Sequence, residues 1–139
     1  MKPEYDRLYI AFIYYFNRER DYFECHEVLE ELWLEEGRNP LYQGLLQVAV
    51  GLYHHRNGNV SGAVKLFTQA VDKLKAYPAD SLGIDLGKLL ADSREYLAKL
   101  KRIDAEPFAP YGLDIEVREP ELSRAVAAFT DHPEEHGGG

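Results

Sequence analysis

The residues best equipped for chemistry lie in two neighbouring stretches. In the first, His26, Glu27 and Glu30 follow one another at helical spacing, so that His26 and Glu30, four residues apart, share a face. In the second, Gln43, Gln47 and His54 fall in one narrow sector when placed at 100° per residue, in a helix whose stretch from Leu41 to Tyr53 carries no charged side chain. His26 projects into the apolar arc of its own helix, next to Trp33. If the two helices pack antiparallel, His26 comes level with His54, Glu30 approaches Gln47, and Trp33 approaches Gln43.

Three kinds of chemistry fit such a strip. The expected one is a structural network, in which a carboxylate, two imidazoles and the amides satisfy one another, because buried polar groups must be paired. On this reading no cofactor is expected. The alternative is a divalent-metal site for zinc, manganese or iron built from His26, Glu30 and His54. Against it, His26-Glu27-Val28-Leu29-Glu30 lacks the second histidine of a HExxH motif, and no second Glu-x-x-His copy is present. A third reading is metal-free acid–base catalysis, with Glu27, Glu30 or His26 as proton carriers on a small substrate. Cys25, on the apolar face of the same helix, reads as a structural thiol. His55 and Arg56 close the following helix and suit its C-terminal dipole.

The elements that position these groups are helices. A first helix is expected from Pro3 to Asn17, on the stripe Tyr5, Leu8, Tyr9, Phe12, Ile13 and Phe16, followed by a polar break at Arg18 to Arg20. Asp21, with Glu24 three residues on, starts a second helix that runs to about Glu36. Asn39 caps the central helix, Pro40 fits its first position, and Gly58 suits its stop. A helix apolar nearly all round belongs in the middle of a fold. Val60, Ala63, Val64, Phe67, Ala70, Val71, Leu74 and Tyr77 form the stripe of a fourth helix, from about Val60 to Tyr77, capped by Asn59 or Ser61. Gly51 and Ala63 would let the third and fourth helices approach closely, with Phe67 filling the groove between them. Asp85 caps a fifth helix carrying Leu86, Leu89, Leu90, Leu97, Leu100 and Ile103, with Tyr96 alongside.

After Ile103 prolines and glycines break the pattern, LDIEV alternates like an extended segment, and a short helix from Glu119 to Phe129 turns Leu122, Val126 and Phe129 inward. The expected organisation is therefore an all-α, single compact bundle of about five antiparallel helices over residues 1–103. A C-terminal arm over 104–131 packs on it or on a partner copy, and 132–139 form a disordered tail.

Composition limits the partners. A net charge of −8 argues against a nucleic-acid partner, and one cysteine rules out an intrachain disulfide. A hydrophobic fraction of 45% with 29% charged residues is that of a soluble globular protein, expected in the cytoplasm. The longest uncharged run is too short to span a bilayer.

YFECHEVLEELW (Tyr22 to Trp33), YQGLLQVAVGLYH (Tyr42 to His54) and GNVSGAVKLF (Gly58 to Phe67) together resemble the signature of a prokaryotic family, domain of unknown function 309. The resemblance covers about residues 12 to 100. It implies an all-helical fold and supplies no activity to carry over. It places the family's recurrent polar positions at Glu24, His26, Glu27, Glu30, Trp33, Gln43, Gln47, His54, Gly58 and Asn59. The expected function is a helical interaction or oligomerisation protein, with a homo-oligomer as one form. An enzyme using His26, Glu30 and His54 is the alternative.

Overall fold

Asn39 begins the element about which the others pack: its side chain accepts from the Leu41 amide at 2.9 Å, and Pro40 takes the first helical position, where a missing N–H costs nothing. The helix so started, α3 (Pro40–Arg56), buries Leu41, Gly44, Leu45, Gln47, Val48, Ala49, Gly51, Leu52 and His55, which covers most of its circumference. In the computed structural model, which describes residues 5–129, five further α-helices surround or follow it. They are α1 (Arg7–Tyr14), α2 (Tyr22–Glu35), α4 (Val60–Leu74), α5 (Leu86–Lys101) and α6 (Pro120–Ala128). Among the described residues there is no strand, only an isolated antiparallel bridge between Ile84 and Val117. No helix among them is long and apolar enough to cross a membrane.

The caps follow the sequence. Asp21, Asn59 and Asp85 accept from the amides of Glu24, Gly62 and Lys88, and so fix the starts of α2, α4 and α5. Gly58 ends α3 with a φ of +80°, a conformation a side chain would resist. Between α3 and α4 the backbones come close because a Cβ on Gly51 would stand 2.8 Å from Phe67 Cδ2. Phe67 is fully buried and stacked on Tyr96 of α5 at 4.9 Å, so the groove-filling role expected of it extends to a third helix.

The first helix differs from expectation. Residues 1–4 lie outside the described residues, and Asp6 caps α1 by accepting from the Leu8 amide. Beyond Tyr14 the chain does not break at Arg18 but widens into a π-helical turn, Tyr15–Glu19, closed by Arg20 in the left-handed region at φ +53°. One added residue per turn lets Tyr15 and Phe16 both stay buried while the chain changes direction.

The C-terminal arm packs on the bundle. Leu113, Ile115 and Leu122 are buried, Val117 is partly so, and Asp114 and Glu116 alternate outward, as LDIEV implied. Asn17 clamps this segment, donating to the Ile115 carbonyl and accepting from the Ile115 amide, both at 2.8 Å. Arg118 reaches Asp85 at 2.6 Å and holds that carboxyl below its usual range, tying the arm to the start of α5. The expected tail, 132–139, lies outside the described residues.

Candidate functional site

The polar residues singled out in the sequence divide between three places. His26 and Glu30 do come together on α2, with Nε2 3.3 Å from Glu30 Oε1, and Glu27 Oε2 lies 3.3 Å from His26 Nδ1. Their side chains, however, are 38%, 47% and 54% exposed, so the trio faces solvent. The reason lies in which stripe of α2 turns inward: Tyr22, Cys25, Leu29 and Leu32 fill the core, and His26 falls at the edge of that arc rather than inside it. Burial pushes the Cys25 thiol up, in keeping with a structural role.

Gln47 is buried, but its amide donates to Gln69 Oε1 of α4 at 2.8 Å rather than meeting Glu30. Gln47 Oε1 and Trp33 Nε1 are buried without a hydrogen-bond partner among the described residues. Trp33 carries the Arg38 guanidinium over its ring at 5.3 Å, and Gln43 is half-buried near the start of α3. His54 Nδ1 lies 3.3 Å from the amide of Asn59, the residue that caps α4. Among the described residues no group of three or more His, Cys, Asp or Glu side chains is placed to hold a metal ion. The strip expected between α2 and α3 is thus a solvent-facing trio on α2, a glutamine pair between α3 and α4, and a loop-stabilising histidine.

The buried histidine is the one assigned to a helix end. His55 is 4% exposed, and its Nδ1 is hydrogen-bonded to the Tyr96 hydroxyl at 2.6 Å. Tyr96 in turn accepts the Tyr111 amide at 3.4 Å, and its phenol is pushed up to about 12, chiefly by burial. Phe108 lies 4.9 Å from the His55 ring and Tyr111 4.7 Å from Tyr96, so the arm seats itself on this pair. Burial lowers the His55 pKa, which suits a neutral imidazole. No local signal separated His55 from an ordinary helix-end histidine; its partner stands 41 residues on.

Beside this junction is a cavity of about 190 Å³ lined by Arg20, Tyr22, Leu52, Arg56, Pro110, Tyr111 and Gly112. A second, of about 240 Å³, shares Tyr111 and Gly112 and adds Lys88, Asp92, Glu95, Lys99, Leu113 and Asp114. A third lies between α1 and α2 near Phe129. His26, Glu30 and His54 line none of these three.

What these features define is an all-helical domain with a solvent-facing acidic and aromatic helix on one side and an arm-sealed cavity on another. Residues 9–66, from α1 into α4, match the family described as Domain of unknown function (DUF309). The chain is also 38% identical over 106 residues to "Uncharacterized protein YpuF" of Bacillus subtilis, a match covering 73% of this chain and 61% of that one. An "Uncharacterized protein" of Aquifex aeolicus is 30% identical over 99 residues, covering 69% of this chain and 29% of its own length. The chain therefore spans less than two thirds of either relative.

Proposed function

We propose that this chain is a docking module that presents the outer face of α2 to a basic, amphipathic helix of a partner protein. The observation that carries the reading is one stripe. Phe23, Glu27, Glu30 and Leu34 recur at i, i+4, i+7 and i+11, and so lie nearly in line along about three turns. Phe23 and Leu34 leave 53% and 50% of their surface exposed, although each is a large apolar side chain in a fold with room for a core. Tyr53 of α3, 37% exposed, extends the patch, its ring 6.3 Å from that of Phe23.

Aromatic and aliphatic anchors at the ends with carboxylates between them suit a helix that lays apolar residues over the ends and lysines or arginines over the middle. Charge favours such a partner over a second copy: two α2 faces brought together would oppose Glu27 and Glu30 to their own images, in a chain of net charge −8. The matched relatives carry this region within longer chains, as a module would be carried. The enzyme alternative draws less support from the geometry, since His26, Glu27 and Glu30 line none of the three cavities described above.

Photo-crosslinking tests the proposal. A benzophenone side chain placed at Phe23 or Leu34 in the producing cell is expected to capture one segment of net positive charge. A synthetic peptide of that segment should bind the purified chain and lose affinity in Glu27→Lys/Glu30→Lys. Captures no different from those of a probe at exposed Thr68, or crosslinks only between two copies of this chain, would reject it.

A further inference from the structure

The cavity at the arm–bundle junction is unlike the rest of this acidic molecule. Two guanidinium groups, Arg20 and Arg56, line it, and no aspartate or glutamate does. The adjoining cavity shows the usual arrangement: its lysines are matched, Lys88 to Asp92 at 2.9 Å and Lys99 to Glu95 at 3.7 Å. In the first cavity Arg20 donates from Nη1 to the Phe16 and Leu113 carbonyls and from Nη2 to Asp114. Arg56 has no carboxylate within ion-pair distance among the described residues, and rests 4.5 Å above the Tyr22 ring.

Tyr22 supplies the second observation. It is 2% exposed, and its buried hydroxyl lies beside the Arg20 guanidinium without a well-formed hydrogen bond among the described residues. An unmade bond on a buried hydroxyl is costly, and such groups call for an explanation. Gly112 shapes the opposite wall, where a Cβ would stand 2.8 Å from Arg20 Nη1 and 3.0 Å from Tyr22 Oη. Arg20 itself sits at a positive φ directly after the π-helical turn, an uncommon backbone for a residue with a side chain. The effect is to direct a cation, a hydroxyl donor and a second cation at one space.

We propose that the cavity lined by Arg20, Tyr22, Arg56, Tyr111 and Gly112 is a binding site for the oxyanion end, phosphate or carboxylate, of a small molecule. Guanidinium forks and a phenolic O–H are all donors, which is what an oxyanion requires and what a cation or a neutral apolar ligand would not use. The space equals that of about six liquid waters, enough for the anionic group and a short stem. Because α1's extension, α2, α3 and the arm each contribute a wall, occupancy would also fasten the arm to the bundle.

Calorimetric titration at matched ionic strength, with inorganic phosphate, glycerol 3-phosphate and succinate as probes up to about 10 mM, tests the site. Saturable binding is expected from the phosphate-bearing probes or from succinate, and whichever saturates identifies the oxyanion. Arg56→Gln should weaken it at least about tenfold. Arg94→Gln, which removes an exposed cation from α5, should leave it unchanged. Tyr22→Phe should weaken binding while changing the stability of the free protein little, because the hydroxyl it deletes makes no well-formed hydrogen bond there. Hydrogen exchange across residues 108–115 should slow with the saturating probe. No saturable binding with any probe, or binding that survives Arg56→Gln, overturns the proposal.

Discussion

The outer face of α2 and the junction between arm and bundle are both rich in histidine, carboxylate, arginine and aromatic side chains, yet they are built on opposite principles. On α2 the polar contacts are local: His26 meets Glu27 and Glu30, one and four residues away, with all three substantially in water. At the junction they are long-range, and His55 to Tyr96, Tyr96 to Tyr111 and Asn17 to Ile115 are buried or partly so, while Arg20 to Asp114 closes the outer edge in contact with solvent. Exposed ion pairs stabilise a fold by about 0–1 kcal/mol. A buried hydrogen bond between distant segments matters more, because losing one partner leaves the other unsatisfied. The difference separates a surface free to meet something else from a seam that holds the chain together.

The largest test of that contrast removes the seam. Truncation after Ile103 strips Leu113, Ile115, Leu122 and Phe129 from the core. At about 1.5–3 kcal/mol for each large apolar side chain buried, stability should fall by several kcal/mol, read as a much lower denaturation midpoint. A narrower cut is Asn17→Ala, which loses both bonds to Ile115 and should cost about 1–3 kcal/mol by urea denaturation. An unchanged midpoint in either variant would mean that the arm is not part of the folded unit.

Proton linkage sharpens the comparison further. The folded-state pKa of His55 is lowered from 6.5, because its burial beside Tyr96 and Phe108 disfavours the imidazolium. Below pH 6.5 the unfolded chain therefore binds the proton more readily than the folded one. The contribution of His55 to stability is complete above 6.5 and is lost as pH falls from 6.5 through the folded-state value. His55→Gln should flatten that part of the stability profile, measured as the difference between the two proteins. A wild-type decline that persists in the variant would assign it to another group.

Much of the bundle was legible in its sequence for a physical reason. Apolar stripes such as Val60, Ala63, Phe67, Ala70 and Leu74 say which face of a helix turns inward, and Asn39, Asp85 and Gly58 mark ends through local hydrogen bonds and backbone angles. Neither signal says which neighbour a face will meet. Gln47 was rightly expected to be buried, but its partner came from α4 rather than α2. His26 was assigned to the apolar arc, when a shift of a few tens of degrees in the inward direction of α2 sufficed to leave it at the surface. The roles of His55 and Arg20 are not legible locally, because what gives them meaning, Tyr96 and the segment Gly112 to Asp114, is remote in sequence.

The smallest effect expected on α2 completes the contrast. His26→Ala removes two exposed contacts and should change stability by no more than about 0.5 kcal/mol. His55→Ala removes a buried ring and the nearest partner of the Tyr96 hydroxyl, and should cost about 2–4 kcal/mol. Urea denaturation of these two variants beside the wild type, at a pH above about 7 where His55 is neutral, therefore tests the central claim directly. The midpoint should stay in place for His26→Ala and drop well below wild type for His55→Ala. Equal losses, or the larger loss in His26→Ala, would return the structural network to α2 and contradict the division of the molecule into a free face and a binding seam.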